Sequence, residues 1–442
     1  MNTPIVDFVK KYSAKNRSRL HMPGHKGKGI LGIEKWDITE IEGADSLYEA
    51  SGIIKESEQN ATKLFGTKAT FYSTEGSSQC IKAMLYLALS QRGGKRANLI
   101  LATRNSHKAF LHAAALLDFE IRWLYPKEFT SLCSCVITAE ELEEQLKEEE
   151  TAPAAVYVTS PDYLGNTCDV KALADVCHKH GTLLVVDNAH GAYTKFLKPS
   201  LHPIDLGADM CCDSAHKTLP VLTGGAYLHL SVNLDDAFVK NAKNALGIFG
   251  STSPSYLILA SLDYCNKYLS QGYDLKLEKC VNSINNLKEK LMAKGVRVAA
   301  SDPLKLTVFG AEDMRKAARD LEKQGVYCEY ADKDYLVLMF TPENSRKDFK
   351  RVFEGLKELK PVKKEIKEIP LVIPQRAVSV RNAFFASSEK VKTEEAKGKI
   401  CACPTVSCPP AIPIVISGEI ISESEIELFK YYGIDSVAVV KE

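Results

Sequence analysis

Three short, nearly uninterrupted apolar runs most constrain what this chain can fold into: ANLILAT (Ala97–Thr103), AAVYVTS (Ala154–Ser160) and TLLVVDN (Thr182–Asn188). They are rich in β-branched residues and do not alternate with polar ones, which is the pattern of strands buried on both faces. Helical patterns such as SSQCIKAMLYLALSQ and VKALADVCHKH fall between strand-like segments. Strand, helix, strand in that order predicts a parallel sheet covered on both sides. The expected fold class is therefore α/β, with a large domain on a mostly parallel sheet at residues 1–267, including a polar N-terminal arm. From Tyr268 a helical stretch leads into VRVAA, KLTVFG, a helix over Met314–Gln324, VYCEY and YLVLMF, a smaller α+β unit at 268–360. The charged, proline-bounded run KELKPVKKEIKEIP reads as a linker into a C-terminal unit, giving 361–442 as the third part.

Charge and composition exclude several classes. The 57 Lys and Arg against 56 Asp and Glu leave a net charge of +1, so no global field draws nucleic acid or an anionic membrane. The N-terminus MNTPIVDFVKKYSAKNRSRL has no apolar signal core, and no segment approaches the ~18 apolar residues of a membrane span. A cytoplasmic protein without membrane or nucleic-acid partners is the expectation. Thirteen cysteines scattered along such a chain read as reduced thiols, and the CxC pairs Cys133/Cys135 and Cys401/Cys403 lack companions at zinc spacing. His21 and His25 stand four apart, but Pro23 and Gly24 break the helix that would align them, so no metal site is expected. The acidic run EELEEQLKEEE reads as a solvated helix face.

The chemistry begins where TLLVVDNAHGAY ends its strand on Asp187. Ligands of open parallel sheets sit at the carboxyl ends of strands, although an aspartate there can also serve only as a turn or cap residue. His-Lys occurs four times, at His25, His107, His178 and His216. Lys179 belongs to a surface-helix pattern. Lys217, in CCDSAHKTLPVLTGG, instead follows Asp187 by thirty positions, room for one more strand to return to the same sheet edge. A lysine amine and a carboxylate at one edge suit pyridoxal phosphate: the amine forms a Schiff base with its aldehyde, and the carboxylate keeps the pyridine nitrogen protonated. YSTEGSSQCIKAML adds a phosphate cradle, with Gly76, Ser77 and Ser78 opening a helix. Glycine-serine turns are common, so this element is weak alone. His107 follows the strand ANLILAT and could stack on a cofactor ring, move protons, or simply cap the next helix.

Taken together, RLHMPGHKG (Arg19–Gly27), RNSHKA, TSPDYLGNTCDV, DNAHGAY, SAHKTLP, STSPSY, AFFA and PPAIPIVISGE make the chain resemble the fold-type-I pyridoxal-phosphate decarboxylases of ornithine, lysine and arginine. The likeness covers nearly the whole chain and is greatest to the short Gram-positive type without an N-terminal wing domain. The resemblance implies that Lys217 carries the cofactor, Asp187 pairs with its ring nitrogen and His107 stacks on the ring. It implies a phosphate held by Ser77, Ser78, Ser214 and His216, with Ala189 and His190 close to the ring. Ser251 and Thr252 would reach the phosphate of a neighbouring subunit, so a homodimer or higher homo-oligomer with shared sites is expected.

The implied reaction is α-decarboxylation of arginine, lysine or ornithine to the amine, a polyamine precursor, with arginine first by resemblance. Three places depart from the family pattern: Gly224 and Gly225 replace a usual glutamine region, ADSLY ends in Tyr48 where a histidine is common, and Asn382 follows Arg381 where a glutamate is usual. Two other readings remain open at the level of sequence. An aminotransferase or β-lyase would use an arginine, for which Arg381 is available, to hold the substrate carboxylate. A non-catalytic homologue would bind a partner or metabolite without turnover, although the presence of both Lys217 and Asp187 speaks against it.

Overall fold

The computed structural model describes the chain except residues 16, 92–97, 128–130, 300–301, 361–372, 407–411 and 442. Most of the sequence-predicted linker and part of the PPAIP motif therefore lie outside the described residues. The chain forms two compact units, each assembled from two stretches of sequence: Met1–Arg96 with Val170–Glu278, and Ala97–Asp169 with Lys279–Glu442. The sheet is mixed and mostly parallel, with helices against it, as the apolar runs predict. Among the described residues no helix is long and apolar enough to cross a membrane, and the cysteines are free.

In the first unit, strands β1 (Ala69–Ser73), β5 (Leu183–Asp187), β6 (Met210–Asp213) and β7 (Ala226–Leu230) stand in the order β1-β7-β6-β5. β5 and β6 run parallel with Asp187 opposite Cys212, while β7 is antiparallel to β6 and to β1. The strand-to-strand return expected between Asp187 and Lys217 is β6. Its Met-Cys-Cys-Asp sequence is wholly buried, and so is β7. Helix Ser77–Ser90 turns Cys80, Ile81, Met84, Leu85 and Leu87 inward against this sheet. The N-terminal helix Pro4–Ser13 starts with proline inside its first turn, where the missing N–H costs nothing, and buries Ile5, Val6 and Val9. Asp263, on helix Tyr256–Leu269, accepts the Val6 N–H at 3.0 Å and the Ser57 hydroxyl at 2.5 Å.

In the second unit, β2 (Leu99–Thr103), β3 (Glu120–Leu124) and β4 (Ala155–Thr159) form a parallel set in the order β4-β2-β3. The α+β portion is an antiparallel sheet of β8 (Arg297–Val298), β9 (Lys305–Phe309), β10 (Tyr330–Ala331) and β11 (Tyr335–Met339), with helix Met314–Lys323. VYCEY contributes only its last residue to a strand. The C-terminal part packs Cys401, Val415, Ile421, Phe429 and Val439 into one core. Its Glu419 reaches the end of β2, where Arg104 donates to Glu419 Oε2 at 2.9 Å and to the Ile414 carbonyl at 3.2 Å.

Candidate active site

In the first unit Asp187, Ala189, His190, Ser214, His216 and Lys217 gather at the carboxyl ends of β5 and β6. Asp187 closes β5 and is 2% exposed. Its Oδ1 accepts the Ala189 N–H at 3.1 Å and faces the Cys212 Sγ at 3.8 Å. The chain then turns tightly, Gly191 N–H to Asn188 carbonyl at 2.8 Å, which places His190 beside the strand end. After β6, the short helix Ala215–Thr218 carries Lys217, whose Nζ lies 3.0 Å from His190 Nε2. Residues 27 apart in sequence thus meet because two parallel strands end side by side.

The segment expected to cradle a phosphate is a turn that opens a helix. Gly76 precedes helix Ser77–Ser90 at φ +71°, ψ −178°, a conformation that only glycine adopts at little cost. No side chain caps this helix, whose first N–H groups have no partners within the helix. Ser214 Oγ donates to Ser77 Oγ at 2.8 Å, joining the loop after β6 to that helix start. His216 is fixed by the Gly225 carbonyl, which lies 3.0 Å from its Nδ1. Burial pushes the His216 pKa down, and the neighbouring Lys217 adds to that. A neutral imidazole at that position donates or accepts without adding charge. Gly76, Ser77, Ser78, His216 and Lys217 are only half-buried, so the cradle is open to a ligand.

The departures from the family pattern have local explanations. A Cβ on Gly224, at φ +97°, would stand 2.8 Å from the Thr74 carbonyl oxygen, and Gly224 itself accepts the Gly76 N–H at 2.7 Å. A Cβ on Gly225 would strike Val221 at 2.3 Å. The Gly-Gly pair therefore lets the backbone after the lysine press against the cradle turn. Tyr48 accepts a hydrogen bond from Gln79 Nε2 at 2.8 Å, and together they leave no room for a side chain on Gly250. Tyr48 and Gln79 thus shape the segment that leads into Ser251 and Thr252. Sequence reasoning found no role for Gln79, since a glutamine inside an amphipathic helix gives no signal of its own. Asn382 is exposed, and its backbone N–H takes the Ser379 cap.

Ser251 and Thr252 are exposed, and Glu75 accepts the Ser251 N–H. They do not cap helix Tyr256–Leu269, because Ser255 does so through the Ile258 N–H. In the second unit, His107 is the N-cap of helix Lys108–Leu117, its Nδ1 accepting the Ala109 N–H at 3.2 Å. That bond leaves the ring proton on Nε2 and fixes the ring plane. Arg381 donates to the Ala115 and Leu116 carbonyls at 2.9 and 3.2 Å, closing the other end of the same helix. An arginine so engaged is a helix-end cation rather than a carboxylate clamp, which removes the residue on which the aminotransferase reading depended.

Comparison with known proteins agrees with the geometry. The family model for the Orn/Lys/Arg decarboxylase major domain matches residues 3–370, and that for the family's C-terminal domain matches residues 363–436. The arginine decarboxylase of Bacillus subtilis is 29% identical over 97% of this chain and 93% of its own length, and that of Bacillus anthracis 27% over 97% and 92%. Among solved structures, the lysine decarboxylase of Francisella novicida superposes with a TM-score of 0.82 at 18% identity, covering 99% of this chain and 81% of that one. At that identity the superposition speaks for the fold alone.

Proposed function

From the premise that the chain belongs to the Orn/Lys/Arg decarboxylase family, and is thus a pyridoxal-phosphate-dependent decarboxylase of a basic amino acid, we propose that it acts on arginine through Lys217, Asp187 and the cradle at Ser77. The site assignment is carried by the Lys217 Nζ–His190 Nε2 contact at 3.0 Å, formed at two strand ends of which one closes on buried Asp187, and the choice of arginine by the likeness to the two Bacillus arginine decarboxylases. The residues present fit the cofactor: an amine, a carboxylate in the interior and a glycine-led helix start with two serines. When bound, the cofactor supplies an electron sink for the bond to the departing carboxylate.

The chain's own groups divide the remaining work. Lys217 supplies the amine for covalent attachment and His190, within hydrogen-bond reach, holds or takes its proton. Asp187 would hold a proton on the ring nitrogen, which a buried carboxylate does more strongly than an exposed one. Ser77, Ser78, Ser214 and His216 would bind the phosphate, with Gly76 and Ala189 giving close backbone approach. His107, its ring plane fixed by its capping bond, would stack on the ring. Ser251 and Thr252, exposed and not used as caps, would complete the phosphate site of a second copy of the chain, making the functional unit a homodimer. The three-part division at 267/268 and 360/361 is kept as the domain reading; the family models, which part near residue 363, support its second boundary alone.

The test of substrate is release of CO2 from arginine, lysine, ornithine and neutral amino acids by the purified protein. Arginine should give the highest kcat/KM. Faster turnover of lysine or ornithine would move the substrate assignment, and keto-acid in place of CO2 would overturn the reaction. For the shared site, a Lys217→Ala chain mixed with a chain altered at Ser251 and Thr252 should regain activity from one intact site per mixed dimer. No recovery after verified subunit exchange would remove Ser251 and Thr252 from the site.

A further inference from the structure

Behind the site, on the opposite face of β5 and β6, lies a polar cluster that the reaction as described does not use. Asp213, the last residue of β6, is fully buried. Its Oδ2 stands 3.2 Å from His202 Nε2 and 3.1 Å from His229 Nε2, and its Oδ1 accepts the Asn188 side-chain N–H at 2.6 Å. Thr70 Oγ1, 2.9 Å from His229 Nδ1, orients that ring from the far side. Burial works against the Asp213 charge, but the two imidazoles outweigh it and hold the carboxyl well below the usual carboxylate range. A buried anion so placed is retained only because every lone pair it directs inward meets a donor.

Strand alternation makes the arrangement consequential. Successive side chains point to opposite faces, so Asp187 and Cys212 share the site face while Asn188 and Asp213 share the other. Each strand end is therefore joined to its neighbour twice: Asp187 to Cys212 in front, and Asn188 to Asp213 behind. Asp213 immediately precedes Ser214 and the helical turn bearing Lys217, and Asn188 lies between Asp187 and His190.

We propose that Asp213 and Asn188 form a bolt that sets the spacing between Asp187 and Lys217, with His202 and His229 as its anchors, making both of them positioning residues for the reaction. The proposal rests on the roles given above to Asp187 and Lys217. A competing use of the same side chains is a metal site, because one ligand atom from each of His202, Cys211 and Asp213 lies within 4.8 Å of the others. Both imidazole nitrogens converge on one carboxylate oxygen at hydrogen-bond length, which is the geometry of shared protons, and the thiol stands at 3.9 Å from His202.

The experiment uses the full-length holoenzyme. Asn188→Ala removes the bolt and leaves Asp213 with its histidines. It should lower kcat roughly tenfold to a hundredfold, the scale of a small misplacement of reacting groups, with KM within about twofold. The visible band of the lysine-bound cofactor should shift or broaden. The reciprocal double variant Asn188→Asp with Asp213→Asn restores an amide-to-carboxylate bond across the strands and should recover most of the lost kcat and the native band. A change confined to thermal stability, with band and kcat unchanged, would overturn the proposal, as would failure of the double variant to recover kcat while folded. Stoichiometric metal in the isolated wild-type protein, absent from Cys211→Ser, would overturn it in favour of the metal site. Lys217→Ala is the control for the parent reading: if that variant kept the band, the site assignment would fall independently of the bolt.

Discussion

Two strand ends in this molecule bury charge beside a motif histidine, and they use it differently. At the end of β5, Asp187 is followed by Ala189 and His190, and its neighbour β6 delivers Lys217. At the end of β2, Arg104 precedes His107 by three residues, yet its guanidinium is engaged by Glu419, the Ile414 carbonyl and, at 4.9 Å, the Trp123 ring. The first end sets buried Asp187 and His190 beside half-buried Lys217 and His216. The second buries both partners of an ion pair, 6% and 4% exposed, and ties the C-terminal part to the strand that leads to His107. The same position in an α/β architecture can therefore serve reactivity or anchorage. What separates the two is that the first end adds half-buried Lys217 and His216 to its buried groups, while the second closes its charges on each other.

If that contrast is correct, substitutions at the two ends should fail in opposite ways. Lys217→Ala should give the largest effect: activity at background and no visible band, with the thermal unfolding midpoint little changed. Asp187→Asn should follow, lowering kcat roughly 10²–10³-fold, the scale on which an oriented electrostatic group contributes, again with the fold intact. A near-native kcat in either variant would break the contrast at its reactive end.

Glu419→Ala probes the other end. Burial raises the Glu419 pKa, against the downward pull of Arg104, which donates to Glu419 Oε2 at 2.9 Å in the interior. Removing one partner of a buried pair leaves an uncompensated charge and should cost about 3–5 kcal/mol of stability. The measurement is chemical denaturation, alongside kcat at a temperature where the variant is folded. A large fall in kcat with unchanged stability would make the β2 end part of the reactive machinery.

The contrast also explains what could be read from the residues alone. Asp187, His190, Ser214, His216 and Lys217 lie in two short motifs, and the only long-range fact needed to unite them was that one strand separates 187 from 217. Parallel topology supplies that fact. The Gly76 turn and the helix start at Ser77 were legible because a glycine and two serines sit directly before a helix pattern. Arg104 and Glu419 are 315 residues apart, and no local pattern pairs them, although each falls in a quoted motif. Asp213 was visible in CCDSAHKTLP but carried no signal, because its partners His202, His229 and Asn188 come from a loop, an antiparallel strand and a turn. His107 shows the limit from the other side: its motif position was plain, and the structure adds a capping bond that fixes its ring. VYCEY was placed in the α+β unit by the order of its segments, and only its last residue lies in a strand, although Glu329 N–H also donates to the Val337 carbonyl of β11.

The smallest expected effect concerns a third buried carboxylate, remote from both strand ends, and it sharpens the contrast by asking whether buried charge in the first unit can matter for stability alone. Burial pushes the Asp263 pKa up to about 6 from 3.8, against the downward pull of the Ser57 hydroxyl and the Val6 and Ile5 N–H groups. The folded state thus binds the proton more tightly than the unfolded state does. The stability this contributes is complete below about pH 4 and is lost as the pH rises through 6. A shift of about two units corresponds to roughly 3 kcal/mol. In the Asp263→Asn variant an amide oxygen still accepts one of these hydrogen bonds but does not titrate, so any constant offset from the substitution cancels from the slope. Denaturation between pH 4 and 7 should show wild type losing up to roughly 3 kcal/mol relative to the variant across that range, with kcat indifferent to the substitution. Parallel stability curves would mean that the three donors around Asp263 offset its burial and keep it ionised at pH 4. A change in kcat would extend the reactive network to the N-terminal helix that Asp263 holds.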